Sequence, residues 1–169
     1  MNYYDAVVPQ LTKMLHNVDR WIVAGVELAK RKGFEPDRIL TFRLAPDMYS
    51  LVQQIQAIAD NAKYACAHLT GQKAPSHPDT ETTIDEIRAR LRTVLAYLET
   101  FKREELDNAG ARRVSPRWLE GKWMTGDDYL FQVALPNFYF HCTAAYSILR
   151  HIGVELGKQD FLGALPVRD

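Results

Sequence analysis

The sequence has little cysteine and no excess of charge of either sign. Cys66 and Cys142 are its only cysteines, and both fall in segments with helical periodicity. We therefore expect two buried free thiols rather than a disulfide, which fits a reducing compartment. Lys and Arg together number 21, as do Asp and Glu, so the formal net charge is zero. A neutral chain is not drawn electrostatically to nucleic acid or to an anionic membrane, and neither is expected as a partner.

Long apolar runs and the common catalytic motifs are also missing. No apolar stretch approaches the roughly 20 residues that a membrane-spanning helix needs. Residues 1–5 lack the basic start and the apolar core of a signal peptide, so a cytoplasmic location is expected. There is no Gly-rich phosphate loop, no His-Glu-x-x-His and no Cys-x-x-Cys. These absences exclude the most recognisable nucleotide-binding, zinc-protease and dithiol chemistries.

Helical periodicity in four segments predicts an all-α protein. The first segment ends at Gly33, where cations precede a glycine that suits a helix C-cap. The second begins after Pro46 and Asp47, because proline followed by an acid is typical of a first helical turn, and it ends at Gly71. Apolar residues follow the helical repeat along this second segment: Met48, Leu51, Val52, Ile55, Ala59, Ala62, Cys66 and Leu69.

The third segment opens with a capping box formed by Thr83 and Glu86, and the fourth extends from near Asp127 to Gly153. The connection between them, around residues 114–124, predicts either a short hairpin or an ordered loop whose two tryptophans pack onto the bundle. No internal repeat or second domain is visible. Four amphipathic helices of about 25 residues favour one four-helix-bundle domain over residues 1–169, with its sites facing the central axis.

An amide and an imidazole lie one helical turn apart in the most apolar segment of the chain. Asn137 and His141 are at i and i+4, so both project from one helix face. His141 falls on a core-facing row with Phe138 and Ala145. It is therefore either a core histidine, bonded to a helix carbonyl or to Asp60, or a metal ligand or acid–base group.

Asn137 follows Pro136, which leaves the Gln132 carbonyl without its helical donor. Asn137 either repairs this break locally or lines a pocket that the kink opens. A polar row on the second helix faces either that pocket or solvent, and it completes the set of pocket candidates with Asn137 and His141: Gln53, Gln56, Asp60 and Tyr64. The remaining charged and imidazole candidates are interpreted as surface or structural: Arg88, Arg90, Arg92, His16, His68, His77 and His151.

Four blocks of the chain, residues 43–48, 78–83, 136–141 and 153–163, together resemble an uncharacterised bacterial and fungal family. That family is grouped with the DinB/YfiT-like superfamily, which includes metalloenzymes. The resemblance covers nearly the whole chain. It implies a helical bundle of up-down-down-up type and a homodimer.

The resemblance also implies a metal site that is degenerate in this chain. Metal-binding members of the superfamily have one histidine on the second helix and a His-x-x-x-His pair on the fourth, shortly before a Leu-Arg-x-x-Gly helix end. Counted back from residues 149–153, His141 matches the second histidine of the pair, whereas Asn137 stands at the first. The middle of the second helix offers Gln53, Gln56 and Asp60 instead of histidine. Amides are poor ligands for transition metals, and His141 with Asp60 alone leaves a metal underbound.

The preferred hypothesis is a cytoplasmic protein that binds a small molecule between helices two and four without a cofactor. The alternatives are an enzyme of thiol-transferase or hydrolase type that uses a divalent metal, with His141 as a ligand, and a purely structural dimeric module. A homodimer is also expected from the residues, because the fourth helix is apolar on more faces than one layer can cover. Six apolar residues of this segment cannot all point to one core: Leu130, Phe131, Val133, Leu135, Phe138 and Phe140. Either the loop with Trp118 and Trp123 or a second subunit must therefore cover the outer face of the helix.

Overall fold

The computed structural model describes residues 2–168 and is built on four long helical segments. The first three are helices α1 (Tyr3–Lys32), α2 (Leu51–Thr70) and α3 (Ile84–Leu98). The fourth segment is continuous from a short α4 (Gly126–Asp128) through a π-helical turn (Tyr129–Ala134) into α5 (Leu135–His151). A terminal helix, α6 (Lys158–Leu162), follows. The mostly helical architecture confirms the predicted fold class.

The connections carry the remaining elements. A 3-10 helix (Pro36–Thr41) follows α1, and two more (Arg103–Leu106 and Ala109–Ala111) follow α3. Strands β1 (Arg113–Val114) and β2 (Met124–Thr125) then pair antiparallel, with a 3-10 turn (Arg117–Leu119) between them. The predicted region 114–124 is therefore a short hairpin. Its tryptophans are not buried, since Trp118 and Trp123 are 59 % and 52 % exposed, so the expectation that both pack onto the bundle is wrong.

Helix ends follow the capping chemistry of the sequence with one exception. Gly33 ends α1 and Gly71 ends α2, both in the left-handed conformation expected of a C-cap glycine. The predicted start of α2 at Pro46 and Asp47 is wrong, because those residues lie in a turn and the helix begins at Leu51. A capping box supplies the stronger start: the Ser50 backbone N–H donates to Gln53 Oε1 at 2.9 Å.

Cross-helix pairs fix the direction of α3. Arg88 on α3 pairs with Asp19 on α1 at 2.7 Å, and Arg103, just beyond α3, pairs with Asp5 near the start of α1. Since residue numbers rise on one helix as they fall on the other, α1 and α3 are antiparallel. The extended connection 71–83 therefore returns along the bundle, and α2 and α3 run parallel.

A second set of pairs fixes α5 against α2. His141 approaches Gln54, whereas Asn137, one turn earlier on α5, bonds to Asn61, two turns later on α2. These helices are therefore antiparallel. Since α3 is antiparallel to α1 and parallel to α2, this gives the up-down-down-up order that the family resemblance implies.

The core lies between these helices and contains both cysteines. Cys66 and Cys142 are buried free thiols, as expected. Burial raises the pKa of Cys66 to about 12 and also raises that of Cys142. The largest wholly enclosed apolar side chains come from α1, the 3-10 helix that follows it, α2 and α5: Trp21, Phe138, Leu11, Leu15, Ile22, Ile39, Leu40, Leu51, Ile55, Ile58 and Leu69. No helix within residues 2–168 combines the length and the apolarity that crossing a bilayer would require.

Pro136 is accommodated by the π-helical turn that precedes it. In this turn the Leu135 N–H donates to the Leu130 carbonyl, five residues back rather than four. Because the wider turn shifts the backbone hydrogen bonds by one residue, the helix accommodates a proline that has no N–H to donate. The prediction that Asn137 repairs the break through a local hydrogen bond is therefore wrong, because its side chain bonds to another helix.

The C-terminal segment closes the far side of α1. The buried Asn17 side chain donates to the Phe161 carbonyl at 2.8 Å, and the Trp21 indole N–H donates to the Asp160 carbonyl at 3.0 Å. Phe161 stacks on Trp21 with ring centroids 5.4 Å apart, and Tyr146 meets Trp21 edge-on at 5.6 Å. We call this arrangement the C-terminal clasp.

Candidate functional site

A cleft of about 1100 Å³ opens beside α2 and α5. The connection 71–83 and the hairpin tip at residues 116–118 complete its walls. The structure places along this one cleft all six side chains that the sequence nominated: Gln53, Gln56, Asp60, Tyr64, Asn137 and His141. They differ in what each of them does there.

His141 lies at one end of the cleft and is held by Gln54. The His141 Nδ1 and Gln54 Oε1 atoms are 2.7 Å apart, and Gln54 Nε2 donates to the Tyr49 carbonyl at 3.3 Å. Because the Gln54 amide group faces Tyr49, its carbonyl oxygen faces the imidazole, and Nδ1 must carry the proton. The other ring nitrogen, Nε2, then presents a lone pair. Its partner is thus neither a helix carbonyl nor Asp60, contrary to the structural interpretation made from the sequence.

The surroundings of His141 keep its ring neutral. The residue is 9 % exposed, and burial lowers the pKa of its imidazole. Tyr49 lies nearly parallel to the ring at a centroid distance of 6.1 Å, and Phe140 meets it edge-on at 5.2 Å. His141 Nε2 has no hydrogen-bond partner within residues 2–168. A neutral imidazole with a fixed tautomer can accept a hydrogen bond or a proton from a ligand.

Asn137 bridges the two helices midway along the cleft. Its Nδ2 donates to Asn61 Oδ1 at 2.7 Å, and Asn61 in turn donates to the Ala57 carbonyl at 2.8 Å. This chain of amides ties α5 to α2. It also places the Asn137 side chain on the exposed edge of the cleft rather than in the core.

Asp60 belongs to a buried ion-pair network. Its Oδ1 atom is 2.8 Å from Lys63 Nζ and 2.8 Å from an Arg90 guanidinium nitrogen. The Lys63 and Arg90 side chains are 0 % and 2 % exposed, whereas Asp60 is 29 % exposed and lines the cleft. The interpretation of Arg90 as a surface residue is therefore wrong: α3 turns it inward to meet acidic groups from two other segments.

The connection 71–83 supplies the rest of this network. Arg90 also pairs with Glu81 at 3.0 Å and with Asp79 at 2.9 Å, and Gln56 donates to Glu81 at 2.9 Å. His77 Nδ1 lies 3.2 Å from Lys63 Nζ and accepts a hydrogen bond from it, since an ammonium only donates. Burial, followed by the charges of Lys63 and Arg90, lowers the pKa of His77.

Aromatic rings line the cleft from one turn beyond Asp60 onward. His68 stacks on Tyr64 with centroids 5.7 Å apart and meets Tyr129 edge-on at 5.2 Å. Burial lowers the pKa of His68, so this imidazole is also neutral near pH 7. Tyr64 remains 39 % exposed, and the Lys63 ammonium lies 4.8 Å from its ring centroid.

These side chains do not fit the metal that the fold implies. Within the described part of the chain, no group of three His, Cys, Asp or Glu residues is arranged to hold a metal ion. His68, the one histidine on α2, follows Gln54 by 14 residues, which places it about 21 Å along the helix from the His141 end. Around His141 the available groups are amides, which transition metals bind weakly.

Sequence analysis missed Gln54, Asn61 and Lys63. Lys63 carries a usable sequence signal, because a lysine that lies between Ala62 and Tyr64 and three residues after Asp60 suits an inward ion pair. Gln54 and Asn61 are separated by two helical turns on the side of α2 that packs on α5. Their spacing could have been matched to that of Asn137 and His141 only with the relative direction of the helices in hand.

Comparison with known proteins gives a family and a fold. The family model described as a domain of unknown function (DUF1993) matches residues 3–162. The chain is similar to a DinB family member protein from Shewanella denitrificans, solved as a crystal structure at 1.83 Å resolution. The two are 43% identical over 99% of this chain and 95% of the other, with a TM-score of 0.95. No curated protein matches the chain.

Proposed function

Since the chain belongs to the DUF1993 family of domains of unknown function and shares the fold of a DinB family member, we propose a binding role that needs no metal. The protein binds a small organic molecule in the cleft between α2 and α5. A hydrogen-bond donor of that molecule is accepted by His141, and the remainder lies against the amide and carboxylate side chains of α2.

One observation carries this proposal: the unpartnered Nε2 of His141. Although the residue is largely buried, this atom keeps contact with solvent in the cleft, so a molecule that enters the cleft can reach it. Here the ring is fixed by Gln54 at 2.7 Å and lines a cleft of about 1100 Å³, a volume typical of small-molecule sites. A ligand with an N–H or O–H group satisfies that atom.

The same chemistry argues against the metal-dependent alternative. A catalytic zinc site usually has three protein ligands, and an amide stands where the family resemblance expects the neighbouring histidine. The Asn137 side chain is already engaged, because it donates to Asn61 at 2.7 Å. A side chain that served as a metal ligand at this position would not be tied to Asn61 in this way. The proposal therefore assigns His141 to the ligand itself.

The proposal places the protein in the cytoplasm as a homodimer. Two buried free thiols support a reducing compartment. Phe131 and Phe140 remain 58 % and 57 % exposed, so the hairpin does not cover them, and pairing with a second copy would. Sedimentation at micromolar concentration tests this: Phe131→Asp should convert a species of twice 19.4 kDa into the monomer.

The binding role is tested by screening fragments against isotopically labelled protein by NMR. Hits should shift the side-chain amide signals of Gln54, Asn61 and Asn137. A cleft-filling variant, Ala57→Phe, should abolish these shifts, because Ala57 lines the cleft. Its matched control, Ala89→Phe, places the same ring on an exposed position of α3 and should leave them unchanged.

Three outcomes would overturn the proposal. Fragments that bind Ala57→Phe as well as the unmodified protein lie outside the cleft. A screen in which nothing shifts the three amides, while the dimer forms normally, would favour the purely structural module. Stoichiometric metal retained by the purified protein would instead favour the enzyme.

A further inference from the structure

We propose that the half of the cleft near the N-terminus of α2 takes an α,ω-diamine, a linear organic dication with about four to six carbons between its ammonium groups. This inference rests on the proposed function, because it names the ligand class of the same cleft. Four features of the site carry it: two acceptors without partners, carboxylates that lie in front of buried cations, the spacing of the two acceptors, and exposed aromatic faces.

Two acceptors on this wall are left without partners. Asp60 receives both of its cations on Oδ1, and Oδ2 has no hydrogen-bond partner in the described part of the chain. His141 Nε2 is the second free acceptor, on a residue that is only 9 % exposed. Neighbouring amide donors are directed into the protein, Gln56 to Glu81 and Asn61 to a backbone carbonyl. A ligand that matches this wall brings donors.

The wall presents its carboxylates to the cleft and keeps two of its cations behind them. Three carboxylates, those of Asp60, Asp79 and Glu81, line the cleft, and two cations, Lys63 and Arg90, compensate them from behind. Because both cations are almost completely buried, the carboxylates lie between them and the ligand. This arrangement favours a cation at this position.

The basic side chains on the rim do not cancel this preference. Arg43 is turned into its own loop, where it donates to the carbonyls of Pro46 and Met48. Lys73 and Arg117 are exposed and belong to the segment after α2 and to the hairpin tip. They therefore lie toward the opposite half of the cleft, beyond the C-terminus of α2.

The spacing of the two acceptors selects two ammonium groups rather than one. Gln54, which holds His141, precedes Asp60 by six residues on α2. Six residues correspond to about 9 Å along a helix. Because the ligand forms a hydrogen bond with each acceptor, its two ammonium nitrogens can be closer together than the acceptors are. A chain of about four to six methylenes spans it, with one ammonium on each acceptor.

Aromatic faces flank both positions. Tyr49 is 53 % exposed beside His141, and Tyr64, one turn after Asp60, is 39 % exposed. The Tyr64 ring already accepts the Lys63 ammonium at 4.8 Å from its centroid. Exposed aromatic faces attract alkylammonium groups and pack against their methylenes.

Isothermal titration of the full chain with 1,5-diaminopentane at low ionic strength tests the proposal. The diamine should bind with one-to-one stoichiometry, and n-pentylamine, with one ammonium, should bind at least about tenfold more weakly. Glutarate, a dianion of the same length, should not bind. Added salt should weaken the diamine because its contacts are charged.

Variants locate the site. Asp60→Asn keeps the side-chain shape, removes the charge and should abolish diamine binding, with circular dichroism confirming the fold. Since Asp60 also holds two buried cations, Tyr64→Leu provides a variant at a more exposed position, expected to bind about three- to tenfold more weakly. Trp123→Leu removes an even more exposed ring, which lies outside the cleft; it is the control and should bind normally.

Each alternative result overturns the assignment. Equal affinity for the monoamine, preference for glutarate, or equal effects of Tyr64→Leu and Trp123→Leu would each contradict it. If the diamine fails while other fragments still shift the Gln54 and Asn137 amides, the ligand class is wrong and the binding role stands. If no fragment reaches those amides, the binding role itself fails.

Discussion

Two buried side-chain amides in this molecule form similar hydrogen bonds, but only one of them belongs to a network that is fully satisfied within the protein. Asn17 in the C-terminal clasp donates to the Phe161 carbonyl at 2.8 Å and accepts from Arg20. Gln54 beside the cleft donates to the Tyr49 carbonyl at 3.3 Å and accepts from His141. The first set of hydrogen bonds is closed within the protein, whereas the second leaves the far nitrogen of His141 open.

The aromatic rings around the two amides differ in the same way. In the clasp, Trp21 is 1 % exposed and packs against Phe161 and Tyr146. At the cleft, Tyr49 and Phe140 touch His141 yet remain 53 % and 57 % exposed. Closed polar groups under buried rings stabilise a fold, whereas an open acceptor under exposed rings is available to a ligand. Four predictions follow from this contrast, each with its own measurement.

The largest effect is expected from truncating the clasp. Trp21→Ala should lower the free energy of unfolding by about 3–5 kcal/mol, because it removes a fully buried ring and its hydrogen bond. Urea denaturation measures this change. Ligand binding in the cleft should survive at temperatures where the variant is folded, and a loss of binding there would show that the two regions are not independent.

A smaller loss is expected at the cleft. His141→Ala should cost about 1–3 kcal/mol, since it deletes a largely buried ring and leaves Gln54 Oε1 unpaired. Fragment binding should be lost as well, which Trp21→Ala should not cause. If stability falls but every fragment still binds, His141 has only a structural role, and the cleft does not differ from the clasp in the way described above.

Acidification should weaken the cleft side selectively. Burial lowers the pKa of His68 and His141, so the unfolded chain takes up protons at higher pH than the folded one. Stability is therefore complete above the unfolded value of about 6.5 and declines as pH falls below it toward the folded values. Urea midpoints measured between pH 7.5 and 5 should show this decline, and His68→Gln should reduce its slope.

The smallest expected effect is that of chelation. Because the groups around His141 do not make a metal site, dialysis against a chelator should leave the melting temperature unchanged, and elemental analysis should find no stoichiometric metal. A fall in melting temperature that zinc restores would contradict the donor chemistry assigned to the cleft.

Much of the fold could be predicted because it rests on local chemistry. The Thr83–Glu86 capping box begins α3 as the sequence indicates, and Gly33 and Gly71 end their helices. The start of α2 was mispredicted because two start patterns compete within residues 46–53. The turn at Pro46 forms, but the helix waits for the Ser50 cap.

The site was less predictable because its bonds join distant segments. His141 bonds to Gln54, 87 residues away. The prediction of Asp60 as its partner was wrong, because Asp60 forms an ion pair with Arg90 from α3 instead. The spacing of residues in a sequence shows which side chains share one helix face. It does not show which of them will bond to another helix, and those bonds determine which atoms remain free for a ligand.

The π-helical turn before Pro136 has an evolutionary consequence. Such a turn is what a one-residue insertion leaves behind in an α-helix. Deleting one residue from 129–134 would restore ordinary winding and rotate everything upstream by about 100° relative to α5. The hairpin that brings Trp118 to the cleft lies upstream, whereas Asn137 and His141 lie downstream. Single-residue insertions and deletions at this turn can therefore change, among relatives, where the hairpin wall of the cleft lies, while Asn137 and His141 keep their positions.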